Sequence, residues 1–486
     1  MKEVAACIDY GTSNVRAYII DLHRGVVICS HSEKYYTKSP APGYLELPVN
    51  KLWENCQKCV KTIFDKLDED KEYHVIAFSF CFFGDTLIPC DAKGNPLNDL
   101  ILYLDSRGQE EVGLLNDHFT QDWLVDTLGS PYLMATVPAK LQWFRKNERD
   151  FFDSIKNIYS IQRYTMGKLG LEAVSDHSLA SRFMMLDINT RSWSKEILDY
   201  LGINESMLGQ VLPSATVLGE IDSFGDYKLP YKIPVVLGLH DVTAGILGTG
   251  VTSKMIKTIA NVAGTIEIYG RYDFSGKIKG FRSAGCVEGM TGKGQFFPSG
   301  ILIEWFMRTI HGDNTEDSYD HYWQKSRFDG SNRVKVKPLF SIGKGRFDDI
   351  GLDCSREDLF TAVIESLVFE AGILVDKINT DFGIKTDTIH IGGGSSKSDK
   401  INQHKANVMG TTAKTLKVRE VSAFGTAIVI AVAIGLYSSL ETAMEALVKI
   451  DKEYMPDMEL HGIYRKKFEE YRQAAGDAVE GKAEAC

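Results

Sequence analysis

Three aspartates close apolar runs in this chain. Asp9 ends VAACID, Asp85 ends HVIAFSFCFFGD and Asp241 ends IPVVLGLHD. A carboxylate at the end of a buried strand is carried on a rigid platform and can face a cleft. Three glycine turns accompany them: Gly11-Thr12-Ser13, Gly264-Thr265 and Gly392-Gly393-Gly394. Glycine has no Cβ, so its backbone N–H can approach an oxyanion closely, and a following Thr or Ser adds a hydroxyl donor. Phosphoryl transfer needs a phosphate cradle, a carboxylate near Mg²⁺ and a base that orients the acceptor hydroxyl. Each feature also has a plainer reading, because glycines make turns and aspartates make turns and helix caps. No G-x-x-x-x-G-K-[ST] motif occurs, so none of the turns is a P-loop. Taken together, the set points to phosphate chemistry.

The elements that must hold these residues follow from hydrophobic patterning. Residues 4–21 read as strand, Gly-Thr turn, strand. Residues 257–273 repeat that unit about 250 positions later, which predicts two related domains. Residues 52–67 read as a helix, 74–85 as a buried strand, and a helix begins at Lys140. The run 233–241 reads as one buried strand, and Gly245, Gly248 and Gly250 then mark a boundary. The expected domains are therefore 1–245 and 246–486. Helical spacing spans 359–378, a strand covers 388–391, and a polar helix follows the glycines. The stretch 421–437 is nearly uncharged but short for a membrane span, and reads as a buried helix. The tail after Lys466 reads as a surface helix. Residues 158–190 give no clear pattern.

Composition narrows the class. The 486 residues are 44% hydrophobic, 10% aromatic and 25% charged, an ordinary globular balance that excludes a disordered, collagen-like or disulfide-stapled chain. The formal charge of −10 argues against non-specific nucleic-acid binding. Of nine cysteines the only close pair is Cys56 and Cys59, without a second ligand pair for zinc. Reduced thiols and a start with no apolar run behind basic residues lead to a cytoplasmic expectation, with no membrane partner.

IDYGTSNVRAYIID, GLHDVTAG, NVAGTIEIYG, SGILIEWF, IGGGSSKSDKINQHKANVMG and EVSAFGTAIVIA resemble, in order and spacing, the motifs of the FGGY carbohydrate kinases. They run from residue 8 to residue 431 and so span nearly the whole chain. The resemblance implies an α/β protein of two actin-like ATPase (ribonuclease H-like) domains, with mixed sheets flanked by helices and a central cleft. It implies sugar mainly on the N-terminal domain, ATP mainly on the C-terminal one, and Mg²⁺ with the nucleotide. Asp241 matches the catalytic base, with Mg²⁺ assigned to Asp9 and Asp241. Gly11, Thr12 and Ser13 match the loop facing the transferred phosphate, and Arg16, one strand step on, could add charge there or be a surface arginine. Gly264 and Thr265 match a second phosphate loop. Gly300 and Glu304 align near the nucleotide, and Gly393, Gly394 and Ser398 match the adenosine pocket. Asn407 stands where many members have Asp, which leaves its role open.

The substrate positions depart from the best-known patterns. Glycerol kinases show Arg-Glu after the strand that ends near Phe83, and xylulokinases show Met-His. This chain has Gly84-Asp85, so both glycerol and the xylulokinase pattern are disfavoured. Asp85, His240, Asp241, Asp105 and Arg107 are the expected substrate residues, although His240 could be a structural histidine and Asp105 with Arg107 a loop ion pair. The expectation is a sugar or polyol kinase, with a ketose such as a pentulose as substrate and a homodimer as the family habit. A small hydroxylated signal molecule is another acceptor. An ATP-binding module of actin or chaperone type, or a weakly active sugar sensor, are the alternatives.

Overall fold

The computed structural model describes residues 2–483 apart from 69–71, 265, 275–281, 288–289, 314 and 340–343. The chain forms two compact units, each discontinuous in sequence. One comprises Met1–Gly248, Tyr272–Lys293 and Val421–Leu447. The other comprises Thr249–Arg271, Gly294–Glu420 and Val448–Cys486. A single cut at 245/246 follows chain order; the packing places two later segments with the first unit.

The first unit is built on a mixed sheet. Its strands are β1 (Lys2–Tyr10), β2 (Asn14–Asp21), β3 (Val26–Lys34), β4 (Tyr73–Phe82), β5 (Val217–Phe224), β6 (Tyr227–Val236) and β7 (Leu239–His240). Their spatial order is β5-β6-β4-β1-β2-β3, with β7 also paired to β4. β1 and β2 form the antiparallel hairpin expected from the first Gly-Thr turn, with Asp9 opposite Arg16. β1 runs parallel to β4, placing Asp9 opposite Cys81, and β4 runs parallel to β7, placing Leu239 opposite Cys81. The carboxyl ends of three parallel strands therefore share one edge of the sheet. The amphipathic Val49–Asp68 helix covers one face, burying Leu52, Cys56, Cys59, Val60 and Ile63 among the strands' apolar side chains.

The run 233–241 is interrupted. Val235 pairs with Phe78 and Leu239 with Cys81, so a four-residue step on one strand faces a three-residue step on the other. Such a one-residue bulge re-aims the side chains beyond it. The chain then passes from β7 directly into the Asp241–Gly248 helix.

That helix lies against the Val421–Ala433 helix, which is buried along most of its length. The crossing is at backbone distance. A Cβ on Gly425 would sit 1.9 Å from the Ala244 carbonyl oxygen, and one on Gly248 would sit 1.9 Å from that of Val421. Val421–Ala433 also packs on β1 and β4. This burial on several sides explains its uncharged sequence and its membership of the first unit.

The second sheet runs through β8 (Thr258–Ala263), β9 (Ile266–Asp273), β10 (Thr291–Pro298), β11 (Thr388–Gly392), β12 (Thr412–Leu416) and β13 (Ile450–Tyr454), in the order β10-β9-β8-β11-β12-β13, with the two-residue strand Ser283–Ala284 pairing at the outer side of β10. β8 pairs antiparallel with β9 and parallel with β11. The pattern of a hairpin strand flanked by its partner and a parallel fourth strand thus occurs in both sheets. Helix Arg356–Phe382 starts in a capping box between Ser355 and Asp358 and buries Phe360, Val363, Leu367 and Ile378 in the second core. No helix of the described residues is long and apolar enough to cross a membrane.

Candidate active site

The strand ends of the first sheet deliver four of the expected residues together. Asp9 is the next-to-last residue of β1, with only 9% of its surface exposed. Its Oδ1 accepts from the Cys81 thiol at 3.2 Å, and Oδ2 lies 3.7 Å from Arg16 Nη1. Burial raises the Asp9 pKa above the ordinary carboxylate value, and the Arg16 charge and Cys81 hydrogen bond partly oppose this. The turn that follows is tied down at its base. Gly11 N–H donates to the Asn14 carbonyl at 3.0 Å, and the Tyr35 hydroxyl donates to the carbonyls of Gly11 and Asn14. Thr12 and Ser13 at its tip are exposed, so two hydroxyls and their backbone face outward from a braced loop.

Asp241 is the first residue of its helix, and Oδ1 accepts from the Val242 N–H at 2.6 Å. Burial raises its pKa to about 8, and the charges of Asp9 and Asp85 add to the effect, while Val242 and Arg182 oppose it. The side chain keeps 29% of its surface accessible, which leaves an open side for an acceptor hydroxyl. His240 Nε2 lies 3.3 Å from Asp241 Oδ1. Burial and the Arg182 charge lower the His240 pKa to about 3, so this is a neutral imidazole beside a carboxylate rather than an ion pair.

His240 is fixed from behind. Its backbone N–H donates to Ser178 Oγ at 3.0 Å, and Asp176 Oδ2 accepts from Ser178 N–H at 2.8 Å and from Ser214 Oγ at 2.9 Å. Asp176 caps the short His177–Arg182 helix. Arg182, at its end, meets Asp85 through Nε at 3.1 Å and Nη2 at 3.0 Å. Asp85 itself has φ +58°, a left-handed conformation uncommon for a residue with a Cβ.

Asp105 and Arg107 turn their hydrogen bonds inward. Asp105 accepts from the Arg107 side chain at 2.7 and 2.9 Å and from Leu45 N–H at 2.7 Å, and Arg107 also donates to Glu46 at 2.8 Å. This buried knot braces the loop that carries half-buried Tyr103, whose pKa is raised by burial and then by Asp241 and Asp85. Lys140 is fully buried nearby and donates to the Ala135 carbonyl; burial lowers its pKa to about 8, with the Asp105 and Asp85 charges opposing.

In the second unit the glycine turns also converge. Gly300 N–H donates to the Gly264 carbonyl at 3.2 Å. Gly393, at φ +92°, approaches Ala263 so closely that a Cβ would lie 2.4 Å from its carbonyl oxygen. Gly394 has open space around it. Thr265 lies outside the described residues. Glu304 is exposed on the Gly300–Phe306 helix. Ser398 caps the Asp399–Met409 helix by accepting from Ile401 N–H at 3.4 Å. Asn407 fixes the start of the last helix by accepting from Asp457 N–H at 2.9 Å. Behind Gly300, buried Lys405 pairs with Glu267, which accepts from Tyr269 at 2.8 Å and Ser299 at 3.0 Å.

Arg182, Ser178, Tyr103, Lys140 and the Lys405–Glu267 pair were not singled out from sequence. Arg182 and Ser178 fall in the stretch without a clear pattern, Lys405 is one polar residue among many on a polar helix, and Tyr103, Lys140 and Glu267 had only their apolar neighbours as a signal.

Residues 4–248 match the model of the N-terminal domain of the FGGY family of carbohydrate kinases, and residues 344–434 match that of its C-terminal domain. A glycerol kinase from Saccharolobus islandicus is 25% identical over 93% of this chain and 92% of its own length. An autoinducer-2 kinase from Salmonella paratyphi B is 24% identical over 97% of this chain and 93% of its own. The crystal structure of xylulose kinase from Lactobacillus acidophilus superposes with a TM-score of 0.85 at 20% identity, covering all of both chains.

Proposed function

We propose, from the premise that this chain belongs to the FGGY family of carbohydrate kinases, that it transfers the γ-phosphoryl group of ATP to a hydroxyl of a neutral sugar or polyol, with a ketose such as a pentulose the favoured substrate. Kinases of this family are ATP-dependent phosphotransferases. The phosphoryl-transfer reading is carried by the convergence of Asp9, Asp85 and Asp241 at the ends of parallel strands on one sheet edge, and the raised pKa of Asp241, about 8, suits a base.

In this reading Asp241 accepts the proton of the attacking hydroxyl and points that oxygen at the γ-phosphorus. His240, neutral and fixed through Ser178, keeps the Asp241 carboxylate in place. The Gly11–Ser13 turn offers N–H and hydroxyl donors to the transferred group, with Arg16 adding charge. The first unit binds the sugar and the second the nucleotide, with Gly264, Thr265, Gly300, Glu304, Gly393, Gly394 and Ser398 on the nucleotide side. Asp105 and Arg107 act by bracing the Tyr103 loop.

Mg²⁺ fits the donor set. Among the described residues no group of three His, Cys, Asp or Glu side chains could hold a metal alone. Asp9 and Asp241 nevertheless carry mutually unfavourable negative charge. This suits a cation that keeps most of its ligands as water and phosphate. Bound there, Mg²⁺ supplies neutralisation of the charge on the phosphate oxygens. A cytoplasmic homodimer completes the proposal.

The test is Asp241→Asn. Loss of a general base costs on the order of 10²–10⁴ in kcat, with ATP affinity kept because the shape is unchanged. Turnover near that of the parent would remove Asp241 from the base role.

A further inference from the structure

Among the described residues, Arg182 is the one cation whose side chain meets the Asp85 carboxylate directly. It holds both Asp85 oxygens through Nε and Nη2, and Nη1 has no hydrogen-bond partner among the described residues. The Arg182 side chain keeps 32% of its surface accessible and that of Asp85 15%. The arrangement is built rather than incidental. Asp85 holds a left-handed backbone, and Gly84 leaves the room for Arg182: a Cβ there would lie 2.9 Å from Arg182 Cγ and 2.9 Å from His240 Nε2. The pair therefore sits against the histidine that flanks Asp241.

We infer that Arg182 and Asp85 act as one charge-neutral clamp that selects substrates bearing a vicinal diol or an α-hydroxy ketone and rejects those bearing a carboxylate. The inference rests on the sugar-kinase reading and names its substrate class. A lone guanidinium would welcome a sugar acid, since bidentate carboxylate binding is its strongest interaction. Here Asp85 already occupies the Nε–Nη2 fork and neutralises the guanidinium charge. What remains is one donor edge on Nη1 and the spare lone pairs of a carboxylate, which match a ketone or hydroxyl oxygen beside a donating hydroxyl. Asp85 is thus a mask as well as a ligand.

The test is calorimetric titration of the full-length protein, without nucleotide, using xylulose, ribulose, xylitol, glycerol and gluconate, with ATP titrated separately. For the parent protein, at least one neutral compound binds and gluconate binds at least about tenfold more weakly. Asp85→Asn moves the preference toward gluconate by about tenfold or more, because the guanidinium is unmasked. Arg182→Lys weakens the neutral ligand by about tenfold with ATP affinity unchanged, because an ammonium cannot fork. The double variant Asp85→Asn/Arg182→Met loses the gluconate gain, and it keeps the question open to test should Arg182→Lys fail to fold. Gluconate binding the parent as tightly as the neutral compounds, an unmoved preference in Asp85→Asn, or no binding of any compound would each overturn the clamp. Clamp behaviour without ADP release on adding Mg-ATP would overturn the kinase reading instead.

Discussion

Asp241 must be ionised to take a proton, and its surroundings resist ionisation. The acid limb of kcat/KM for the sugar therefore rises with pH through about 8 in the free enzyme and levels above it. Asp9 contributes to that resistance, so Asp9→Asn moves the limb to lower pH even where it slows turnover; a limb that stays in place would break the coupling between the two carboxylates. The same shift has a stability consequence. Folding raises the Asp241 pKa above its unfolded value, so its contribution is complete below the unfolded pKa of about 3.9 and is lost as pH rises through about 8. Asp241→Asn, permanently neutral, raises the melting temperature at pH 8, and calorimetry shows the gain shrinking as pH falls toward 4. Asp9, Asp85 and Asp241 were legible because each ends an apolar run. Arg182 was not, because it is delivered by a six-residue helix in a segment with neither 2.0 nor 3.6 periodicity. Asp105 and Arg107 could be seen as a pair, but their inward bonding to Glu46 and Leu45 depends on a distant segment.

Asp241 is placed by an element as much as by its own bonds. Its helix crosses Val421–Ala433 at Gly248 and Gly425, so any side chain at either point pushes the helices apart. Gly425→Val overpacks this contact and costs about 1–3 kcal/mol or more. It lowers kcat without altering any group that touches substrate. Denaturant melts and steady-state rates check both effects, and an unchanged rate in a folded variant would show that helix position is not limiting. Sequence periodicity found the long strands and the Val421 helix because burial on several sides leaves an unmistakable apolar run. It missed the bulge between Val235 and Leu239, because a one-residue slip leaves composition untouched. The helix expected from Lys140 begins at Val137, with Pro138 in its first turn.

At the scale of the whole molecule, both sheets place a hairpin strand between its antiparallel partner and a parallel later strand, and the repeated Gly-Thr hairpins announced this in the sequence. The allotment of Tyr272–Lys293 and Val421–Leu447 to the first unit was not legible, since it is decided by what those segments bury against. The sugar itself is hidden for a related reason: a pocket chooses by a few hydrogen-bond partners, and one changed partner moves preference strongly. Chelating Mg²⁺ should abolish ADP release while leaving nucleotide-free sugar binding intact, and chelator-insensitive turnover would remove the cation from the mechanism. The most direct measurement is Mg²⁺-dependent ADP release from ATP across pentuloses, hexuloses, aldoses, polyols and glycerol, with Asp241→Asn alongside. Strong stimulation by one neutral sugar or polyol, lost in the variant, is the expected result. A flat panel, with steady ATP hydrolysis insensitive to Asp241→Asn, would contradict it.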